Sequence, residues 1–333
     1  MIPLISLNDF LVKYGIEQEV FDQTTLKWDE LQAIYDDYCS EVPKLEASAI
    51  YIFNSLMKAN NVHSVRYRIK SAEHVIEKII RKRIEDPLRI ITKENYKKEL
   101  TDLIGVRALH LFKEQWGHIH ELITLTWDLL EKPVAYYREG DPSDYLNGFE
   151  NFGCVTKEHP FGYRSVHYIV ETKPAKKKYF AEIQVRTIFE EGWSEIDHTI
   201  RYPYDKENTV FGQFLLILNR LAGSADEMGT FIQFLKRELQ NKDDNYEKVL
   251  AEKDKLITQL ENRIKKLKLG DTDLKFLTSG LEKLKTPNHL NVINMTNAAA
   301  SLGISFTEYI AKGGMNISPI ATKTLKEQKV LKE

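Results

Sequence analysis

The chain has 333 residues, of which 42% are hydrophobic, enough for one large packed domain and a smaller one. Its formal net charge of −2 excludes a globally basic nucleic-acid binder, although local basic patches stay open. The two cysteines lie far apart and argue against a disulfide framework or a zinc module. No signal-peptide pattern and no apolar run of about 18 residues is present, so we expect a soluble, cytoplasmic protein without a membrane partner.

Residues 1–60 are predicted to form a helical packing layer, because apolar residues recur there at helical spacing. Pro43 falls inside this pattern, and a proline in a helix interior removes a backbone hydrogen bond. The sequence therefore predicts that the layer divides into two helices near this residue.

Alternating cations precede the next helix signal. Arg66, Arg68 and Lys70 project from the same side of a short extended segment. Ser71 is a good N-cap for the helix that follows, whose outer face carries Lys78. Cations that converge on a helix N-terminus favour a polyphosphate site, and the alternative is a solvated basic helix face.

An apolar strand is predicted over 101–112, with Asp102 at its start and Arg107 within it. Asp102 alone is typical of a turn. Paired with Glu182 on a neighbouring strand, however, it would supply a second oxygen ligand for Mg²⁺. The metal prediction therefore depends on the pair.

Two segments of alternating apolar and polar residues, 163–171 and 179–185, predict neighbouring strands of a hairpin. Their polar faces carry Tyr163, Ser165, His167, Glu182, Gln184 and Arg186. An aromatic ring, an imidazole, a carboxylate, an amide and a guanidinium together favour a site for a charged, ring-bearing ligand such as a nucleotide.

Further short strands are predicted over 133–138 and 149–156, with helices over 115–130 and from Ile188, whose Trp193 should pack on the sheet. The expected fold is α/β (α+β), a mixed sheet of about five strands flanked by helices. Val210–Leu221 is predicted to be a buried helix. A long charged helix follows, and its imperfect apolar seam favours either a helical hairpin or a coiled-coil homo-oligomer.

The motifs so far resemble those of the synthetase domain of the RelA/SpoT family. They are Arg68-Ile69-Lys70-Ser71 with Lys78, Asp102 to Arg107, Gly162 to His167 and Glu182 to Thr187. The resemblance covers roughly residues 45–205. It implies a nucleotidyltransferase-like sheet that moves the β,γ-pyrophosphate of ATP onto the 3′-hydroxyl of an acceptor nucleotide. We accordingly divide the chain into a helical layer (1–60), a pyrophosphokinase domain (61–205), a helical segment (206–270) and a small C-terminal element with a mobile tail (271–333).

The resemblance also implies roles for the residues of the donor side. Arg68 and Arg107 sandwich the adenine, while Lys70 and Lys78, beside the Ser71 cap, hold the phosphates of ATP. The two carboxylates, Asp102 and Glu182, bind Mg²⁺, and Glu182 is the best candidate to take the acceptor's proton.

On the acceptor side, Tyr163 stacks on the base, typically guanine, and His167 contacts the phosphate region of the acceptor. Gln184 and Arg186 complete this side. The family commonly has a lysine, a proline and a small polar residue before Gly162, where this chain has His159, Pro160 and Phe161. We expect the nearby Lys157 to replace the missing charge.

Three functions stay open at this point. The favoured one is synthesis of guanosine 3′-pyrophosphate derivatives from ATP and GDP or GTP. We expect no hydrolysis of these products, because no His-Asp dyad is present and the first 60 residues are too few for a hydrolase domain. The second is a toxin-type enzyme that modifies the 3′-CCA end of tRNA. Such an enzyme would have an antitoxin as a partner. Phe161, the C-terminal extension and the basic turn of Lys173 and 176–178 favour this enzyme. The third is a catalytically silent regulatory or RNA-binding module, which the filled catalytic positions disfavour.

Overall fold

A computed structural model describes residues 4–173, 177–201, 209–266 and 270–285 of the chain. Within it the chain divides into two compact units, Met1–Asp226 and Glu227–Glu333. Lys176, the predicted domain boundary at 205 and the predicted C-terminal tail beyond residue 285 lie outside the described residues. None of the described helices is long and apolar enough to cross a membrane.

The first unit is built on a mixed six-stranded sheet, so the predicted α/β fold is confirmed with one strand more than expected. The strands are β1 (Ser64–Ile69), β2 (Ile104–His110), β3 (Val134–Tyr137), β4 (Val155–Glu158), β5 (Ser165–Thr172) and β6 (Tyr179–Thr187). Their spatial order is β1-β2-β6-β5-β3-β4. The β2–β6 and β3–β4 pairs are parallel, and the other three pairs are antiparallel. The predicted hairpin is therefore present as β5 and β6, at the centre of the sheet.

The described part of the chain contains ten α-helices. They are α1 (Leu7–Tyr14), α2 (Gln18–Gln23), α3 (Trp28–Met57), α4 (Ala72–Glu85), α5 (Tyr96–Glu99), α6 (Trp116–Thr126), α7 (Ser143–Asn151), α8 (Ile188–Arg201), α9 (Thr209–Ile264) and α10 (Asp271–Lys285). A short 3₁₀ helix, Lys113–Gln115, precedes α6.

The prediction that Pro43 divides the N-terminal layer is wrong at this residue, because α3 runs through it without a break. Buried side chains continue on both sides of the proline, including Tyr38 before it and Leu45 and Ile52 after it. Tertiary packing of an apolar face contributes most of the stability of a helix in a protein. Here that packing outweighs one missing backbone hydrogen bond.

The core lies between the sheet and this helical layer. Its fully buried members include Ile79 and Ile80 of α4, Val106 of β2 and Ile183 of β6. The Tyr38 hydroxyl donates a hydrogen bond of 2.5 Å to the Lys70 carbonyl oxygen. Helix α3 therefore fixes the backbone at the point where β1 ends and the predicted phosphate-binding segment begins.

Two other predictions are corrected by the structure. The segment around Phe149, predicted as a strand, is the end of α7, and the strand begins only at Val155. Val210–Leu221 is helical but not buried throughout, because it is the start of α9 and exposes Phe214 and Ile217 to solvent. Only one side of this helix, with Leu215 and Asn219, is buried.

The second unit contains the rest of α9 and α10. Ile257 and Leu281 are buried there, and Lys285 of α10 forms an ion pair of 2.6 Å with Glu261 of α9. This arrangement agrees with the predicted helical hairpin. The predicted homo-oligomer and the predicted domain boundaries stay predictions.

Candidate active site

The candidate site lies on one face of the sheet and extends across β1, β2, β6 and β5. The strand register places Arg68 beside Gly105 and Gly105 beside Glu182. On the other side of β6, Gln184 is the partner of His167. Alternate residues of a strand share a face, so the cations of β1 and β2 meet the polar groups of β6 and β5. The cleft between them is lined by Arg66, Arg68, Asp102, Arg107, Glu182 and Gln184, together with residues 67, 105 and 106.

Two lysines meet one aspartate beside the start of α4. Asp102 Oδ2 lies 3.0 Å from Lys70 Nζ and 2.5 Å from Lys78 Nζ. Burial by itself raises the pKa of Asp102, but the two ammonium groups outweigh it, and the pKa is lowered. Ser71 caps α4 by accepting a hydrogen bond from the His74 backbone N–H. Lys70, Lys78 and Asp102 therefore lie together beside the capped start of α4, and their predicted binding of phosphate stays a prediction.

Asp102 also has an oxygen that the lysines do not use. Its Oδ1 is buried and has no hydrogen-bond partner, and it lines the same cleft as Glu182. No group of three or more His, Cys, Asp or Glu that could hold a metal occurs in the part of the chain that the structure describes. Mg²⁺ is commonly bound by one or two carboxylates plus substrate phosphates and water. The two carboxylates fit that kind of incomplete site.

The two arginines that were predicted to sandwich the adenine differ in their surroundings. Arg68 is exposed, and its stem lies over Gly105, where an added Cβ would be 3.6 Å from Arg68 Cγ. Arg107 is held by α8, because its Nη1 lies 3.0 Å from Glu191 Oε1 and also contacts Glu195 Oε1. One guanidinium is thus fixed in place and the other faces solvent at the mouth of the cleft.

Glu182 is the centre of a hydrogen-bond chain. Its Oε1 lies 3.1 Å from His167 Nδ1, and its Oε2 accepts a hydrogen bond of 2.8 Å from Gln184 Nε2. The other ring nitrogen of His167, Nε2, lies 2.9 Å from the Tyr163 hydroxyl. Burial raises the pKa of Glu182, but the bonds from His167 and Gln184 outweigh it and lower the pKa. The group is therefore a carboxylate at neutral pH.

Tyr163 belongs to a cluster of rings beside this chain. Tyr163 precedes β5 rather than lying in it, so it does not share a strand face with Ser165 and His167 as expected. Its hydroxyl contacts His167 directly instead. The rings of His159 and Tyr136 have centroids 5.3 and 6.1 Å from that of Tyr163. The Arg186 guanidinium lies 5.3 Å from the same centroid. Burial raises the pKa of Tyr163, so its phenol is neutral.

Arg186 and Lys157, both predicted to contact the acceptor, have opposite environments. Arg186 is 2% exposed, with Nη2 2.5 Å from Glu191 Oε2 and Nη1 donating to Ser194 Oγ. These two contacts hold the Arg186 guanidinium against the Tyr163 ring. Lys157 is exposed in the edge strand β4, in register with Tyr136. Contacts of either residue with an acceptor stay predictions.

Sequence reasoning missed several residues that shape the site. Tyr136, His159 and Glu191 were not predicted, and neither was Asn219, which contacts the loop that carries Tyr163. The spacing of Glu191 and Glu195, four residues apart on α8, could have indicated that both face the arginines of the sheet. No local signal marks Asn219, because its partners lie more than fifty residues earlier in the chain.

Comparison with known sequences finds a family model that matches the part of the chain that contains this site. The region found in RelA / SpoT proteins matches residues 67–207 of the chain. This part of the chain, which we call the RelA/SpoT region, is similar to that family. This match contains every residue that the sequence analysis assigned to the donor and acceptor sides.

Two relatives of the RelA/SpoT region come from Bacillus subtilis (strain 168). The GTP pyrophosphokinase YwaC is 25% identical over 200 residues, which are 56% of this chain and 85% of that protein. The GTP pyrophosphokinase YjbM is 24% identical over 183 residues, which are 54% of this chain and 74% of that protein.

Two solved structures that are similar to this chain have names related to those of the two relatives. A GTP pyrophosphokinase family protein from Streptococcus pneumoniae is 24% identical, with 65% of this chain and 96% of that chain covered at a TM-score of 0.40. The small alarmone synthetase 1 from Bacillus subtilis is 22% identical, with 63% and 98% covered at a TM-score of 0.39.

Proposed function

We propose that the RelA/SpoT region transfers the β,γ-pyrophosphate of ATP to the 3′-hydroxyl of GDP or GTP. The observation that carries this proposal is the meeting of two groups on one sheet face. One is the Lys70–Asp102–Lys78 cluster, and the other is the chain from Glu182 through His167 to Tyr163. The first suits a polyphosphate donor and the second suits a nucleoside with a hydroxyl to be deprotonated. The names of the two Bacillus subtilis relatives support the same reaction.

On the donor side, Lys70 and Lys78 neutralise the phosphates of ATP beside the N-terminus of α4. Arg107, fixed by α8, and Arg68, exposed at the cleft, enclose the adenine. Asp102 Oδ1 and Glu182 would hold Mg²⁺. When bound, this ion supplies charge neutralisation for the transferring group. Phosphoryl-group transfer depends mainly on such positioning and electrostatic stabilisation.

On the acceptor side, the 3′-oxygen attacks the β-phosphorus of ATP, the bond from that phosphorus to the α,β-bridging oxygen breaks, and AMP leaves. Glu182 takes the proton of the hydroxyl, and its lowered pKa keeps it ionised and ready to do so. His167 holds one oxygen of Glu182 in place and fixes the Tyr163 hydroxyl. The Tyr163 ring stacks on the acceptor base.

The choice between a guanine nucleotide and tRNA rests on the β5–β6 turn. Lys177 Nζ lies 3.1 Å from Glu41 Oε1, while Lys173 and Lys178 lie 2.9 and 3.0 Å from the carboxylate oxygens of Glu171. Each of these three lysines has a carboxylate partner in its own protein, although Lys173 and Lys178 share Glu171. These contacts offset part of the positive charge that an RNA backbone would bind, so we favour the nucleotide acceptor.

The test is a transfer assay with three acceptors in parallel. The purified protein is incubated with Mg²⁺ and ATP labelled on its γ-phosphate, and with GDP, GTP or deacylated tRNA, and the products are separated. We expect label in the guanosine nucleotide together with an equal amount of AMP. Label in tRNA would make the protein a tRNA modifier. Release of label only as inorganic phosphate or pyrophosphate would contradict group transfer.

A further inference from the structure

The loop that carries Tyr163 is held by a helix outside the RelA/SpoT match. The match ends at residue 207, and α9 begins at Thr209. Asn219 of α9 is 2% exposed. Its Nδ2 donates a hydrogen bond of 2.8 Å to the Gly162 carbonyl oxygen, and its Oδ1 accepts one of 3.1 Å from Arg164 Nη1. One side-chain amide therefore binds both neighbours of Tyr163.

The two neighbours have little freedom of their own. Gly162 has a φ of 73°, and an added Cβ would lie 2.9 Å from Arg138 Cγ, so only glycine fits there without a shift. Arg164 is 7% exposed and binds both oxygens of Asp141, at 2.7 and 2.6 Å. The backbone before and after Tyr163 is thus fixed, and Asn219 is the group that links both sides of it.

Helix α9 is itself anchored on either side of Asn219. Before it, Trp193 Nε1 of α8 donates a hydrogen bond of 2.9 Å to the Leu215 carbonyl oxygen. After it, the Thr187 hydroxyl donates a hydrogen bond of 2.9 Å to Asp226 Oδ2. Thr187 ends β6, the strand that carries Glu182. The position of Asn219 therefore depends in part on β6, the strand that carries the proposed general base, Glu182.

We propose that Asn219 is a positioning residue for the acceptor, and that the start of α9 completes the acceptor half of the active site. This inference rests on the proposed function. Asn219 acts through Gly162 and Arg164, which set the Tyr163 ring over Arg186 and its hydroxyl against His167. The phosphate-binding group of the donor side is held differently, because Lys70, Lys78 and Asp102 contact one another beside the start of α4.

The test compares Asn219→Ala with Asn241→Ala, the same change at an exposed position of the same helix. The KM values for GDP and ATP and the kcat are measured, together with hydrogen exchange of a peptide spanning residues 159–164. Loss of buried hydrogen bonds of this kind corresponds to about a threefold to tenfold change in an equilibrium constant. We expect the KM for GDP to rise by that factor in Asn219→Ala, the KM for ATP to stay within about twofold, and exchange in the loop to become faster. Asn241→Ala should match the unmodified protein.

A second variant covers the case in which Asn219→Ala does not fold. Asn219→Asp has the same shape and keeps the acceptor for Arg164, but it places an oxygen against the Gly162 carbonyl and should raise the same KM. Equal rises in both KM values, or unchanged exchange in the loop, would overturn the inference while leaving the proposed function intact. An unmodified protein that transfers label to none of the acceptors would instead overturn the proposed function, and with it this role for Asn219.

Discussion

At the scale of single residues, the two carboxylates of the site differ in their surroundings. Asp102 has two ammonium groups on one oxygen, whereas Glu182 has an imidazole and an amide. Both pKa values are lowered, so both groups are charged at neutral pH. Only Glu182 is connected to the ring that we assign to the acceptor base. This asymmetry is the physical reason for giving the proton-accepting role to Glu182 and a purely electrostatic role to Asp102.

The residue-scale prediction concerns Glu182→Gln. The amide keeps the shape of the side chain and can still accept a hydrogen bond from His167, but it cannot take a proton. General base catalysis contributes about 10²–10⁴ in rate, so we expect kcat to fall by at least about 10². The KM for ATP should rise as well, because the amide replaces one of the two proposed carboxylate ligands of Mg²⁺. Steady-state kinetics measure both values.

The control is Glu121→Gln, the same change at an exposed position of α6. It should leave kcat and the melting temperature unchanged. A Glu182→Gln enzyme that retains most of its kcat would remove Glu182 from the role of general base.

Residue patterns predicted which residues share a strand face, because the side-chain period of a strand is fixed. Glu182 and Gln184 lie on one face of β6, and Arg66 and Arg68 lie on one face of β1, as expected. The ring cluster was not predictable in the same way. Tyr136 and His159 reach Tyr163 through the packing of β3 and a loop, and no local sequence period encodes that packing.

At the scale of elements, the start of α9 is tied to the sheet through one buried acid, Asp226. Asp226 is 1% exposed and accepts a hydrogen bond from Thr187, while Glu190 accepts one from the Thr187 backbone N–H. Burial, with a smaller contribution from the Glu190 charge, raises the pKa of Asp226 to about 8, against the weaker opposing effect of Lys113 and Arg164. At neutral pH this raised pKa favours the protonated form of Asp226.

The element-scale prediction is a pH dependence of stability that passes through Asp226. The unfolded chain has an ordinary aspartate pKa of about 3.9. Between that value and about 8, folding takes up a proton, so this contribution is fully present below pH 4 and is lost as the pH rises to about 8. Asp226→Asn cannot release a proton. The difference in unfolding free energy, variant minus unmodified protein, should therefore grow from pH 5.5 to pH 8.5, by at most about 1.4 kcal/mol per pH unit.

Urea unfolding at several pH values measures this difference. Asp244→Asn, at an exposed position of α9, is the matched control and should show no growing difference. The comparison between proteins cancels the titration of buried histidines such as His110, whose pKa is lowered by burial and which both proteins share. A constant difference across the range would show that Asp226 does not hold a proton in the folded state.

The elements themselves were predictable to different degrees. Strongly alternating strands were placed correctly, as in β5 and β6, because both apolar and polar positions carry the signal. Helix α7 was missed, since its segment of Pro, Asp, Ser and Gly residues is typical of a turn, and its formation depends on burial of Phe149 at the sheet edge. Pro43 was predicted to divide a helix. Tertiary packing outweighs the local effect of the proline, so α3 continues through it.

At the scale of the whole molecule, the catalytic unit is larger than its sequence motifs. Those motifs lie between residues 67 and 207, and the predicted domain ended at residue 205. Leu215, Asn219 and Asp226, which contact α8, the loop that carries Tyr163 and β6, all lie beyond that boundary. Motif spacing could not reveal them, because a buried amide or a protonated acid on a helix has no distinctive pattern.

The whole-molecule prediction compares two shortened chains. A chain that ends at residue 240 keeps every described contact of the first unit, and we expect it to fold and to transfer pyrophosphate with kinetic constants within about twofold of the full chain. A chain that ends at residue 205 loses the three anchors of α9, exposes Trp193 and leaves Gly162 and Arg164 without Asn219. It should melt at a lower temperature and have a KM for GDP raised by more than its KM for ATP. Circular dichroism melting and steady-state transfer kinetics on both chains measure this contrast. Equal activity of the two would place the whole acceptor site before residue 205, whereas loss of activity in the 240-residue chain would give the second unit a direct part in catalysis.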